Sequence, residues 1–416
     1  PETAKNNNGK KKVLASVLAG LALVGGAVGG NPAHAIVSTD GSINTEGSRI
    51  DIHANAKPVN SVGVNSIVVG YQNETDDNDG TTALGANNKA KGNSGLAVGN
   101  QNESSGGAST AIGAGNRAAG AATVAIGNVS NANAQSAIAI GSYNNVDWTK
   151  GTWQTAPKNA GAYSTVVGNY SSATGRESAA MGVYSNSAGP GSFAAGYKEN
   201  ALGQNSVAIG SENTSHVADT ITLGQSNNAK TMGGISIGKN NLTDSADGNR
   251  SDVERNRENS QIAIGRDNTA TNLDAIAIGR DTHATGSGAT AFGARADASG
   301  NNSIAIGQSG KTSDRVVASG VNSIAIGMQS QATGESAIAE GPGSRAGGKY
   351  GIALGRTTKA NAEAATALGN AAEANIANGV ALGSSSVTTT DKGVVGYNPS
   401  DPHERKYSPL TGNVKT

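Results

Sequence analysis

Cysteine is absent from the 416-residue chain, so no disulfide can tie it and no thiol chemistry is open to it. Large side chains are almost as scarce: two Trp, two Phe and nine Tyr stand against 60 Gly. A globular domain of this length fills a thick core with large apolar residues, and this composition excludes one. An excess of charge of either sign is also lacking. Lys plus Arg and Asp plus Glu each total 31, giving a formal net charge of zero. No basic stripe for nucleic acid stands out. The five histidines (34, 53, 216, 283 and 403) are scattered, and none has metal-ligand spacing with another ligand. Gly310-Lys311-Thr312 is the one Gly-Lys-Thr, and Ala305 stands where a phosphate loop needs its first glycine, so no phosphate loop is read. The run Asn73 to Gly80 lacks a bidentate Glu at its far end and reads as a polar turn, not a calcium loop. An enzyme, a cofactor and a metal site are therefore not expected.

What the chain has is a beat. The phrase Asn205-Ser206-Val207-Ala208-Ile209-Gly210 returns with small changes from Ser66 to Gly383, and its closing glycine recurs 21 times. Gly99, Gly113, Gly127 and Gly141 show the usual step, and it sets a coil of about 14 residues. Composition alone could suggest disorder, but strict spacing marks a solenoid. Two positions before the closing glycine, 17 of the 21 copies have Ala. Its neighbours are mostly β-branched, as in Ile262 with Ile264, Ile276 with Ile278 and Ile304 with Ile306, which favours strand over helix. A second glycine often falls half a step after the first, as at Gly120, Gly203, Gly286 and Gly300. Glycine at each seventh position costs a helix roughly 1 kcal/mol apiece and rules out a coiled coil. The expectation is an all-β, parallel roll of flattened coils. Each coil has two short strands and two tight turns, with the glycines at turn positions that other residues enter only with strain.

Strand side chains alternate between faces. With the flanking Ile and Val directed inward, the central alanines form an outward apolar strip. Ala208, Ala263, Ala277, Ala305 and Ala325 are thus the expected seam of a homotrimer, where small side chains let backbones of identical copies approach. The alternative reverses the faces and leaves Ala merely in contact with solvent. Phe193 beside the small Ala195 suggests compensation within one coil. Glu340 stands in a slot that otherwise holds apolar residues, and is expected to turn outward or to pair with Arg345.

In chain order, Lys10-Lys11-Lys12, the apolar run Val13 to Gly30 and Ala33-His34-Ala35 make residues 1–35 an expected signal peptide. Residues 36–64, with the alternating stretch Ser48 to His53, are expected to cap the first coil. The repeats fill 65–383, with irregular steps at 142–164, 239–261 and 308–321. The first two, from Gly141 to Gly168 and from Gly238 to Gly265, are nearly double the usual step and read as a degenerate coil plus a loop. They hold Trp148 and Trp153, and Arg250 and Arg255, which are candidates for ligand specificity because loops of a solenoid bulge from its exposed side. Residues 384–416, with Pro399, Pro402 and Pro409, read as a linker or the start of a neck.

The array resembles the head of a trimeric autotransporter adhesin of the YadA-like type. Asn205 to Gly210 matches that family's motif, and Asn302 to Gly307 and Asn322 to Gly327 differ from it only by Ile in place of Val. Ser330 stands at the motif's later serine, and Gly393 to Tyr397 resembles the segment that ends such heads. The resemblance implies a left-handed parallel β-roll, a homotrimer and export to the outer surface of a Gram-negative bacterium. It implies attachment to a host matrix protein, collagen above all, or to a host cell receptor. It also implies a membrane contact made only through a C-terminal anchor outside this chain, which then reads as a passenger fragment. Ligand contact is carried over to Asn205, Ser206, Val207, Ala208, Ile209, Gly210, Asn302, Ser303, Asn322 and Ser323. A structural spacer in a surface fibre and a trimeric β-solenoid like a phage tail spike remain as alternatives. The paired acids that a tail spike needs for glycan cleavage are not seen in the coils.

Overall fold

The computed structural model describes residues 66–75, 80–145, 160–244, 260–310 and 314–389. It adds short strands at Ala35–Val37, Ile43–Asn44, Ile50–Ile52, Val395–Gly396 and Ser408–Pro409. Residues 1–34, the body of the expected signal peptide, lie outside the described residues. The chain forms two compact units, Pro1–Glu199 and Asn200–Thr416, each built on the same plan. Among the described residues every element is a strand, and no helix is long and apolar enough to cross a membrane.

The first unit carries nine long strands of the repeat, from Ile67–Tyr71 to Phe193–Tyr197, and the second carries twelve, from Val207–Ser211 to Val380–Leu382. Each residue pairs in parallel with its equivalent one coil later, as in Ala111 with Ala125 and Ala263 with Ala277. A shorter strand, such as Arg117–Ala118 or His283–Ala284, runs along the other side of each coil and pairs likewise with its neighbours. This is the parallel solenoid that the period predicts. In the stretch 36–64, Ile50–Ile52 pairs in parallel with Ile67–Val69 and adds a strand to the first unit's sheet.

The two long steps are single coils, not a degenerate coil plus a loop. Ile138 pairs directly with Thr165, and Ile235 with Ile262, so no further rung of the long-strand sheet stands between them. Ile304 pairs with Ile324 across the third step in the same way. At the first step the Asn145 side chain bridges the gap: its amide donates to the Asn131 carbonyl at 2.9 Å and its Oδ1 accepts from the Ala173 N–H at 2.9 Å.

The faces are the reverse of those expected. Ala208, Ala263, Ala277, Ala305 and Ala325 have no exposed surface within a single chain. They point into their own coil, so they form neither a seam between copies nor a solvent-facing strip. Val207 and Ile209, Ile262 and Ile264, and Ile304 and Ile306 point outward instead and are half-buried. The reason is the size of the coil. Two backbones that close on each other within so short a circuit leave room between them only for small side chains. Facing the central alanines are Ala270, Ala284 and Ala298, also fully enclosed. The scarcity of large apolar residues is thus a property of a thin core, and the aromatic residues among the described residues sit outside it. Phe193 and Ala195 both lie on this outer face. Glu340 is exposed because its whole column faces outward, and no ion pair joins it to Arg345 among the described residues.

The closing glycines lie at φ between +107° and +149°. The second glycine series does not share this conformation. A Cβ on Gly286 would lie 2.1 Å from the Gly300 carbonyl oxygen, so that series serves the close approach of coils. The left-handed turn positions belong instead to residues such as Asn205 (φ 53°), Asn302 (φ 54°) and Asn322 (φ 56°).

A buried amide ladder runs beside the alanines. Asn73, Asn88, Asn102 and Asn116 in the first unit, and Asn213, Asn227, Asn241 and Asn268 in the second, each follow a closing glycine at the third position and are at most 4% exposed. Asn227 Nδ2 contacts Asn213 Oδ1 at 2.9 Å, the Leu223 carbonyl at 2.9 Å and the Gly238 carbonyl at 2.8 Å. Its Oδ1 accepts from the backbone and side-chain amides of Asn241 at 3.1 and 2.9 Å. Buried polar groups hold only when satisfied, and here each rung satisfies the next. Asn227→Ala is expected to cost roughly 2–4 kcal/mol, because it orphans the Gly238 carbonyl and donors of Asn241. Asn227→Ser is expected to cost less, since Ser185 at the equivalent position of the first unit reaches the Gly196 carbonyl at 3.0 Å. Thermal unfolding followed by circular dichroism reads both.

Candidate functional site

The interior is filled by side chains, and among the described residues no cluster of His, Asp or Glu could hold a metal ion. Asn73, the first residue of the acidic run, is taken up by the amide ladder: its Oδ1, the atom that could ligate calcium, accepts from the backbone and side-chain amides of Asn88 at 3.0 Å each. Among the described residues the surfaces open to a partner are the outer columns and turns of the coil.

The carried-over positions divide cleanly. Asn205, Asn302 and Asn322 are exposed at a left-handed turn, and Asn302 Nδ2 reaches Asn322 Oδ1 at 3.3 Å. Asn205 Nδ2 reaches Asp219 Oδ1 at 3.2 Å. Val207 and Ile209 are half-exposed and Gly210 is exposed. Ser206, Ser303, Ser323 and Ala208 are fully enclosed, and Ser206 Oγ donates to the Gly203 carbonyl at 2.7 Å. No ligand can touch these four without opening the coil. Trp148, Trp153, Arg250 and Arg255 lie outside the described residues.

Either side of the buried alanines, the long strands present two mainly apolar columns, one of them with Thr82, Thr110, Thr165, Thr290 and Thr366 in it. In the second unit one runs Ile209, Leu223, Ile237, Ile264, Ile278, Phe292, Ile306 and Ile326, and is then interrupted by Glu340. Phe292 is 52% exposed and Leu382 69% exposed, values far from those of a core. The short-strand side is polar and carries ion pairs between neighbouring coils. In the first unit Lys91 meets Glu74 at 2.8 Å and Arg117 meets Glu103 at 3.4 Å. In the second, Lys230 meets Asp244 at 3.0 Å and Lys359 meets Glu373 at 3.6 Å. Beside Lys230, burial first and then that ammonium hold the His216 imidazole below its ordinary value.

The YadA head domain repeat, a family model of two repeat copies, matches residues 61–88, 77–102, 173–198, 200–215, 262–282, 284–309, 318–344, 346–372 and 360–386. The chain belongs to the YadA head family. No curated protein matches it. The family carries an adhesin-type function and a surface-exposed place on Gram-negative cells. Residues 103–172 and 216–261 fall between the matched ranges, yet Thr110–Ala114 and Ile235–Lys239 are ordinary rungs of this YadA head. The first unmatched stretch also starts an aromatic file along one turn. Tyr143, Tyr170 and Tyr184 stack at 5.1 Å between ring centroids, and Tyr197 meets Tyr184 edge-on at 6.3 Å. Their spacing in sequence is irregular because an insertion intervenes, and only the coil register brings them together.

Proposed function

We propose that the chain is the head of a trimeric surface adhesin. Three copies associate through the outward Ile, Val and Leu columns of the long strands. The remaining faces attach to a host matrix protein, with collagen-like ligands foremost, or to a host cell receptor. The observation that carries this reading is the pair of apolar columns, which run in register through each unit and stay half-exposed in a single chain. A contiguous apolar patch of such extent marks an interaction face, and closed rotational symmetry buries it with no leftover edge. The left hand of the roll goes with the same reading.

Attachment then works by repetition. Each coil offers similar weak contacts, and trimerisation multiplies them, so avidity replaces a pocket and no catalytic group is needed. Asn205, Asn302, Asn322 and Gly210 are the carried-over residues available to a ligand, while Val207 and Ile209 belong to the columns that join the copies. Ser206 supports its turn from within through the Gly203 carbonyl, and Ser303 and Ser323 are enclosed at the equivalent place. Specificity is assigned to the segments that hold Trp148, Trp153, Arg250 and Arg255. The fold does not need them, because the strands on either side pair directly.

Solid-phase binding of the purified chain to collagen, fibronectin and laminin tests the proposal. Saturable binding to at least one is expected, with loss of affinity when residues 146–159 or 245–259 are deleted if those segments confer specificity. A chain that binds none of the three, nor host cells, is not an adhesin head.

A further inference from the structure

Lys239, Arg266 and Arg280 are unevenly spaced along the chain, with an insertion between the first two. The parallel register sets them side by side: Lys239 pairs with Arg266, and Arg266 with Arg280. All three are exposed, at the last position of their long strands and just beyond the apolar columns. Neighbouring strands lie ~4.8 Å apart, so these cations form a straight file at that spacing.

The nearby acids neutralise the file only at Arg266. Asp267 stands 3.4 Å from Arg266 Nε and also accepts from Asn240 Nδ2 at 3.0 Å. Asp281, next to Arg280, is held elsewhere. Arg315 Nη2 donates to both its carboxylate oxygens at 3.0 Å, Arg295 Nε lies at 3.6 Å and His283 Nε2 at 3.5 Å. Among the described residues no carboxylate forms an ion pair with Lys239 or Arg280. Elsewhere the chain answers Arg117 with Glu103 and Lys359 with Glu373, and its other like pair, Arg345 beside Lys359, is followed at once by that Glu373. Like charges directly opposite each other on a sheet are destabilising, so three cations in register work against the fold.

We propose that the file Lys239–Arg266–Arg280 binds a linear sulfated polysaccharide of the glycosaminoglycan class. A rigid row of cations complements a polymer that carries anionic groups along its length. Guanidinium groups grip sulfate oxygens in pairs, and the ammonium adds a point charge. Single-stranded nucleic acid fits less well, since it is held by aromatic platforms as well as by charge, and no aromatic residue stands in this file. The adhesive reading supplies only the source of the glycan, at a host surface. The contact itself follows from the charges.

Calorimetric titration of the full chain with a heparin oligosaccharide tests this, at about 50 and about 300 mM salt, since screening weakens such contacts. Binding that falls with salt is expected. The variant Lys239→Gln/Arg266→Gln/Arg280→Gln should bind at least about tenfold more weakly. It should melt no lower than the parent, because a repulsion has been removed. The single variant Arg266→Gln should show an intermediate loss. A control that removes three charges elsewhere, Lys89→Gln/Arg117→Gln/Lys359→Gln, should stay within about twofold. No binding at low salt, an equal loss in the control, or equal affinity for a DNA oligonucleotide of matched charge overturns the proposal. Heparin binding without binding to any matrix protein sinks only the protein-directed adhesive reading, and the reverse result sinks only this one.

Discussion

Gly265→Ala is expected to unfold the coils around it. Gly265 sits at φ +124°, and a Cβ built there would lie 1.9 Å from the Gly279 carbonyl oxygen. Two penalties therefore coincide. A backbone conformation closed to L-residues costs about 1–3 kcal/mol, and overpacking against backbone that cannot rotate away costs about as much again. The sum, roughly 2–6 kcal/mol, is a large share of the stability of an ordinary domain, ~5–15 kcal/mol. In a solenoid each coil touches only its neighbours, so the damage stays local: protection from hydrogen exchange should vanish around residues 262–280 before it does at the ends of the unit. Gly286→Ala is the informative contrast. It faces a similar approach, 2.1 Å to the Gly300 carbonyl oxygen, but not at a positive φ. Ala134 and Val217 already stand at the equivalent place in other coils, which shows that the backbone can shift there. Its melting temperature should fall by clearly less than that of Gly265→Ala. Equal losses would mean that crowding alone, and not conformation, keeps the closing glycines.

The period is the legible part. A closing glycine at a constant step, with β-branched residues before it, specifies strand, turn and parallel stacking without reference to any side-chain contact. The direction of the side chains is not legible. Alternation says that Ala277 and Ile278 face opposite ways but not which of them is inside, and the usual preference for burying the larger residue points the wrong way. The width of the coil decides it, and width is a property of two strands closing on each other, not of either strand. The amide ladder is visible in principle, since Asn recurs at the third position after the closing glycine at 88, 102, 116, 213, 227 and 241. It goes unnoticed because surface asparagine in a turn is so common that recurrence there does not suggest burial. The cation file is hidden for another reason. Lys239 and Arg266 are joined only by a register that skips an insertion, and a balanced net charge conceals any local excess. The same kind of skip hides the stacking of Tyr143 on Tyr170.

Ile264→Asp with Ile278→Asp is expected to abolish trimer formation and leave the coil intact, and Ala277→Leu is expected to do the reverse damage. Ile264 and Ile278 are half-exposed in one chain, so charge there disturbs little of the fold. In a trimer the same side chains would be covered, and an unpaired carboxylate enclosed at an interface costs about 3 kcal/mol or more. Sedimentation should show monomers at concentrations where the parent is trimeric, with the strand signal in circular dichroism unchanged. Ala277 has no exposed surface and is packed among Ala263, Ala284 and Ala291. A leucine there has no cavity to enter, and overpacking of this size exceeds roughly 3 kcal/mol, so the strand signal itself should fall. The chain already holds a milder version of the first change. Glu340 puts one carboxylate into the outward apolar column, beside Ile326 and Leu354, at no cost to the single chain because it remains exposed. The proposed association then has to accommodate it, and Glu340→Leu should tighten the trimer. If that substitution leaves the association constant unchanged at neutral pH, the column that contains Glu340 is not where the copies meet.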